Sequence, residues 1–356
     1  MNGYKVFAIL LCMCLLSGCI PVSKVLEDVQ LIQAIGYDYV NEKEFQVTAG
    51  ATYTPPGIQS KPQNVALTAV GRTSKHIRQE IQAQSPRPIE IGRVGVILFD
   101  EELARSGIDD LVDNLQRDPN IGRDISLVVS KGKSNEILST ESEQHESVSQ
   151  FVIDIVKQNM ERTIPSINLH HFLFHYRGLG FDPFLPLIEK KGDLIQVSGV
   201  ALFKGDHLAE TIDLKEGYIL KVLYEKIRKG IIEVDIKEDK QVSIQNLSSN
   251  TKFKPEKTAN GYTFNVRIKM DGRVMEGGGL DLTQKKNIEK IEKKSEEMLE
   301  KEALVLLEKL QKLDVDPLGI KEELRQEGYK DWKKQYGSVH FEVDANVHLI
   351  QAGIME

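Results

Sequence analysis

Two alternating stretches around one long amphipathic segment constrain the C-terminal half more than any other feature of the chain. Tyr262, Phe264, Val266, Ile268 and Met270 alternate with Thr263, Asn265, Arg267 and Lys269. Phe341, Val343, Ala345, Val347 and Leu349 alternate with Glu342, Asp344, Asn346 and His348. A period of two puts one set on a buried face and the other in water, and an antiparallel sheet covered on one side is expected. Between these runs, Ile288, Ile291, Leu299, Ala303, Leu306, Leu307, Leu310 and Leu313 recur at helical spacing in a background of Lys and Glu. Asp281 or Thr283 is the candidate cap. The stripe breaks at Ser295, so a helix packed on the sheet is expected in preference to a coiled coil, since adjacent amphipathic layers bury each other.

The same reading continues upstream. Strands are expected at 29–38, with Phe45, Val47 and Ala49 as a hairpin partner, and at 94–99, 125–129, 197–203, 231–236 and 242–247. Helices are expected at 74–84, 108–115, 148–160 and 218–227, with a loop at 54–62 and a polar connection at 140–149. The class is α+β and multi-domain, with mixed or antiparallel sheets, packed helices and the long charged helix on the C-terminal antiparallel sheet. An N-terminal α/β region at 19–190, whose division into two lobes stays open, precedes a C-terminal α+β domain at 194–356.

The N-terminus carries a different kind of signal. Lys5 is the only charged side chain before an apolar run at 6–16, and Leu16-Ser17-Gly18-Cys19 follows. A basic start, a short apolar core and small residues before a cut site describe an export signal, here residues 1–18. The run is shorter than the roughly 20 residues that span a bilayer. The Ser-Gly-Cys ending resembles a bacterial lipoprotein box, so Cys19 is expected to become the acylated, palmitate-bearing first residue of the mature chain. A plain secretory peptide with a chance cysteine is the competing reading. The other cysteines are Cys12 and Cys14, which leave with the signal, so no disulfide, zinc site or thiol nucleophile is expected.

The net charge is -7, and -8 once Lys5 is lost, with 6% aromatics. Nucleic-acid surfaces need basic stripes and stacking rings, and polybasic membrane patches need clustered Lys and Arg, so neither is expected. Attachment to a membrane is left to the lipid, where each buried methylene contributes about 0.8 kcal/mol and stable anchoring takes more than one chain.

Catalytic and ligand motifs fail one by one. Gly132-Lys133-Ser134 resembles the tail of a phosphate loop, but Leu127 stands where the first glycine is needed. His145-Glu146 has Ser149 in place of the second zinc-protease histidine. His170, His171 and His175 form the one histidine cluster; His171 and His175 are four apart, with Asp182 as the nearest carboxylate, among Phe172, Leu173 and Phe174. Packing is favoured over metal there, because zinc takes three or four protein ligands. Asp314, Asp316 and Gly319 suggest a calcium loop, but Arg325 sits at its glutamate position. They read better as the end of one helix and the start of the next. Ser130-x-x-Lys133 and Ser249-x-x-Lys252 spell a penicillin-binding pattern without its companions. No catalytic, cofactor-binding or metal residue is therefore assigned, and Trp332 reads either as a core residue or as a partner-facing anchor.

A set of blocks in fixed order resembles one family. They are Ala34-Ile35-Gly36-Tyr37-Asp38, Gly71-Arg72-Thr73 with Ser85-Pro86-Arg87-Pro88, Glu101-Glu102-Leu103-Ala104-Arg105-Ser106-Gly107-Ile108, and Asn114-Leu115-Gln116-Arg117-Asp118 leading to Leu127-Val128-Val129-Ser130-Lys131-Gly132. Gly199-Val200-Ala201-Leu202-Phe203-Lys204, Asp314-Val315-Asp316-Pro317-Leu318-Gly319 and Trp332-Lys333 follow. In this order they resemble the Ger(x)C spore germination lipoproteins, the C subunits of nutrient germinant receptors. One departure is that Pro21-Val22-Ser23 stands where the family often has a tryptophan. The resemblance implies a lipoprotein on the outer face of the inner spore membrane, assembled with two integral membrane subunits, one transporter-like, to trigger germination without catalysis or a cofactor. The alternative is a solute-binding lipoprotein of a transporter, which implies two doubly wound lobes around a cleft. An envelope hydrolase is third and lacks a recognisable nucleophile.

Overall fold

The computed structural model describes residues 29–53, 63–141, 147–237, 240–258, 261–329 and 331–352. Two sheets carry the chain. The first has nine strands: β1 (Gln30–Asn41), β2 (Glu44–Tyr53), β3 (Gln63–Gly71), β4 (Ile89–Glu90), β5 (Val96–Asp100), β6 (Ser126–Lys131), β7 (Phe184–Lys191), β8 (Leu194–Lys204) and β9 (His207–Asp213). Their order is β3-β2-β1-β5-β6-β7-β8-β9, with β4 beside β1. The central neighbours β1, β5, β6 and β7 run parallel, and the flanking pairs are antiparallel. Val96, Ile97, Leu98 and Phe99 are all fully buried, as are Leu127, Val128 and Val129. Such unbroken apolar runs belong to strands covered on both faces.

Helices α1 (Ser74–Gln82), α2 (Glu101–Ser106), α3 (Asp109–Arg117), α4 (Ser134–Leu138), α5 (Val148–Arg162) and α6 (Leu169–Arg177) provide that cover. Glycines let two of them approach closely. A Cβ on Gly36 would lie 2.3 Å from Ser134 Oγ of α4, and one on Gly50 would lie 2.5 Å from Ser149 Oγ of α5. On the opposite face of β1 and β2, α1 buries Ile77 and Ile81, and α3 buries Leu111, Val112 and Leu115.

The expected division near Asp193 falls inside the β7–β8 turn, where Lys191 pairs with Leu194. The first sheet continues to Asp213, which caps α7 (Leu214–Tyr224) through a capping box with Glu216. Helix α7 buries Tyr218 to Leu223 and links the sheets: its Lys215 and Glu216 form ion pairs with Glu302 and Lys309 of the long helix, at 2.9 and 2.8 Å.

The second sheet contains β10 (Ile231–Lys237), β11 (Lys240–Thr258), β12 (Gly261–Glu276) and β13 (His340–Ala352). Here the expectation of an antiparallel sheet needs correction. The two alternating strands, β12 and β13, pair in parallel, with Phe264 opposite Phe341 and Val266 opposite Val343. Alternation reports which faces are buried and says nothing about direction. The direction is set by the connection: α8 (Lys285–Lys312), α9 (Ile320–Gln326) and α10 (Trp332–Gln335) return the chain to the end where β12 began, and parallel neighbours require such a crossover.

Helix α8 packs by one stripe, as expected, and Ser295 belongs to it. The residue is fully buried, and its Oγ donates to the Ile291 carbonyl at 2.8 Å. Neither Asp281 nor Thr283 is the cap; Gln284 occupies that position with no side-chain cap bond, while the Asp281 carboxylate braces the preceding turn through Thr283 and Gln284. Along the flank of α8, Glu292, Glu296 and Glu300 accept the backbone N–H groups of Leu349, Val347 and Ala345 at 2.9, 3.1 and 3.1 Å. The i,i+4 step of a helix, about 6 Å, matches the two-residue step of a strand, about 6.6 Å.

Candidate functional site

Several of the motifs that sequence reading set aside are occupied by structural work. Cys19, His145 and Glu146 lie outside the described residues. At Gly132-Lys133-Ser134, the start of α4 points two amides at Asp38: Ser134 N donates to Oδ1 at 2.5 Å and Asn135 N to Oδ2 at 2.9 Å. The anion that such a turn accepts is thus supplied from within the chain. Burial pushes the Asp38 carboxyl up, and these donors work against that push. The Lys133 ammonium bonds to Asp100 at 2.5 Å, while the Ser130 hydroxyl donates to the Gly132 carbonyl at 2.9 Å. Ser249 Oγ is held by Asn246 at 3.0 Å, and Lys252 points into solvent.

Helix α6 carries the histidines, as the four-residue spacing of His171 and His175 allowed. His175 is buried, stacks on Phe181 at 5.1 Å and meets the Tyr224 hydroxyl at 3.3 Å. Burial, then the neighbouring His171, pushes its pKa down to about 4, so the ring is neutral. His171 is exposed on the same helix. No group of three or more His, Cys, Asp or Glu suited to a metal occurs among the described residues. Trp332 is half-buried against the core, with the Lys333 ammonium 5.3 Å over its ring.

Asp182 turns away from the histidines into a cluster that joins the two sheets. Its oxygens accept from Gly205 N at 3.2 Å and Asp316 N at 3.0 Å, and its own N–H donates to the Asp316 carbonyl at 2.8 Å. Asp182 precedes β7 and Gly205 follows β8; Asp316 lies between α8 and α9. The Asp316 carboxylate accepts from Leu318, Gly319 and Lys321 amides at 3.2, 2.9 and 2.6 Å, which opens α9. Gly319 has φ 78°, and its missing Cβ leaves room for the Phe181 ring, which would stand 2.3 Å from such an atom.

Two lysines complete the cluster. Buried Lys321 pairs with Asp314 at 2.9 Å and Asp182 at 3.3 Å, 4.7 Å above the Tyr336 ring. Lys204 reaches Asp314 at 2.9 Å and Asp182 at 3.5 Å, and Tyr336 donates its hydroxyl to the Val315 carbonyl at 2.9 Å. Burial pushes Asp316 up to about 6 despite its amide donors. Burial also acts on Asp314, but the hydrogen bonds from Lys204 and Lys321 win and hold it below the usual range. The cluster presents neither a nucleophile nor an open substrate pocket. It is a clasp: two ammonium groups and three carboxylates meet across the seam, and loss of a lysine leaves buried carboxylate charge less compensated.

The comparisons with known proteins place this architecture. The family described as "Spore germination protein N-terminal domain" matches residues 23–190. The family described as "Spore germination B3/ GerAC like, C-terminal" matches residues 198–353. Spore germination protein GerQC of Bacillus cereus is 26% identical over 349 residues, covering 96% of each chain.

The chain belongs to the Ger(x)C family of germinant-receptor C subunits.

A further relative of this Ger(x)C chain is the putative spore germination protein YfkR of Bacillus subtilis (strain 168), 22% identical over 306 residues, 81% of this chain and 79% of that one. A crystal structure of the GerBC protein superposes with a TM-score of 0.61 at 15% identity, covering 89% of this chain and 97% of the other, and so shares the fold. The Ger(x)C assignment makes the chain a spore germination receptor subunit and gives no support to the solute-binding alternative.

Proposed function

We propose that this germinant-receptor subunit is tethered by acyl chains on Cys19 to the outer face of the inner spore membrane. There it assembles with two integral membrane subunits, one transporter-like, and contributes binding surfaces instead of catalysis. The observation that carries this reading is the family match, which extends from residue 23 to residue 353 and begins just after the acylation motif. Among the described residues no helix is long and apolar enough to cross a membrane, so the reading gives attachment to lipid and partners. Tethering confines the domain near its partners and raises their effective concentration without new contacts. A modest interface then suffices.

The test is a Cys19→Ala chain expressed in spores. It is expected in the soluble fraction, with the two integral subunits absent from an affinity capture that retrieves them with the wild type. A variant that stays membrane-bound in high salt and still supports germination overturns the anchor. Capture of the wild type without integral subunits overturns the assembly.

A further inference from the structure

Helices α1 and α3 flank a groove of about 780 Å³ on the first sheet. Its floor comes from one face of β1 and β2. Ile35 pairs with Ala49 and Tyr37 with Val47, and all four line the groove. These residues keep 5–8% of their surface exposed. Ile77 and Ile81 of α1 form one wall, and Leu115 of α3 forms the other. The volume and the apolar lining fall within the range of small-molecule sites, about 300–1,000 Å³.

The edge of the groove is polar, with Lys75 and Arg78 on the α1 side and Arg117 and Asp118 on the α3 side. Ser74 Oγ is buried beside the Tyr37 phenol. Lys75 and Arg78 stand exposed on the α1 rim, and among the described residues no carboxylate pairs with either. Two unpaired cations over an apolar slot favour a ligand whose head is anionic.

We propose that the groove between α1 and α3 binds a small apolar carboxylate, with its hydrocarbon body over Ala49 and its carboxylate at Lys75 and Arg78. Displacement of water from the groove drives the body onto its apolar floor and walls. The cations fix the direction in which it lies. A ligand of about a dozen heavy atoms gains affinity on the order of 0.1–1 mM. The site is independent of the lipid anchor and of the clasp.

The test uses full-length lipidated protein in nanodiscs and 4-(4-fluorophenyl)butyrate as the probe, read by fluorine NMR line width. Saturable broadening over empty nanodiscs is expected, reversed by unlabelled 4-phenylbutyrate. The amine with the same tail, 4-phenylbutylamine, is expected to compete about tenfold less well. Lys75→Glu with Arg78→Glu is expected to weaken the carboxylate about tenfold and to leave thermal unfolding near wild type. Ala49→Trp, which fills the floor, is expected to abolish broadening. Should Ala49→Trp not fold, the exposed double variant carries the test. Equal broadening by empty nanodiscs, equal competition by amine and carboxylate, or unchanged affinity in the double variant overturns the site.

Discussion

Two buried titrating groups act on stability with opposite sign. Asp316, raised to about 6 by burial, binds its proton more tightly folded than unfolded. Its contribution therefore falls as pH rises from about 4 to about 6, by roughly 3 kcal/mol at 1.36 kcal/mol per unit. His175, lowered to about 4, binds its proton less tightly folded than unfolded. Its contribution rises as pH goes from about 4 to about 6.5, by a similar order of magnitude. The two slopes offset each other in the wild type. Thermal unfolding across pH 4–7 is expected to slope more upward than wild type in Asp316→Asn, where of these two groups only the histidine titrates, and more downward in His175→Gln. Parallel slopes in the two variants would contradict the assignment. Neither group stood out in the sequence as a titrating residue. His175 sits among aromatic neighbours, and its burial depends on Phe181 and Tyr224 arriving from elsewhere in the chain.

At the scale of elements, burial patterns were legible and directions were not. Apolar runs marked β1, β5, β6, β8 and β10, and alternation marked β12 and β13. Whether β12 and β13 run parallel depends on the path of the chain between them, to which a period of two is indifferent. Ser295 looked like a gap in the stripe of α8 because a hydroxyl is polar; a helix hides it by bonding it to the carbonyl one turn back. The faces themselves predict mutational outcomes. Leu306, 1% exposed, is expected to lose several kcal/mol as Leu306→Asp, because an unpaired charge enters the core. Lys301→Ala and Glu342→Ala, on exposed positions, are expected within about 0.5 kcal/mol of wild type in denaturant unfolding. Val343 is half-buried, so Val343→Asp should fall between these limits. Equal tolerance of Leu306→Asp and Lys301→Ala would refute the assignment of faces.

For the whole molecule, the clasp ties the two sheets together, and they are expected to unfold as one cooperative body. Its members lie far apart in the chain, since Asp182 and Lys204 meet Asp314, Asp316 and Lys321 only after both halves fold. No local pattern announces such a cluster. The helix-boundary reading at Asp314, Asp316 and Gly319 was its one trace, and it captured the opening of α9 but not the partner across the seam. Lys321→Ala removes the ammonium that pairs with buried Asp182 and with Asp314, and a loss of about 3–5 kcal/mol is expected. Calorimetry of the variant should resolve two transitions where the wild type shows one. A single transition at unchanged temperature would show that α7 and its ion pairs hold the sheets without the clasp.

The three glutamates of α8 that meet Ala345, Val347 and Leu349 have a consequence for how this subunit meets others. Strand β13 is the last of its sheet, and its outward amides would otherwise template a visiting strand. Carboxylates occupy those amides, so lateral growth of the sheet stops within the molecule itself. A partner peptide is thereby denied β-augmentation along this stretch of β13.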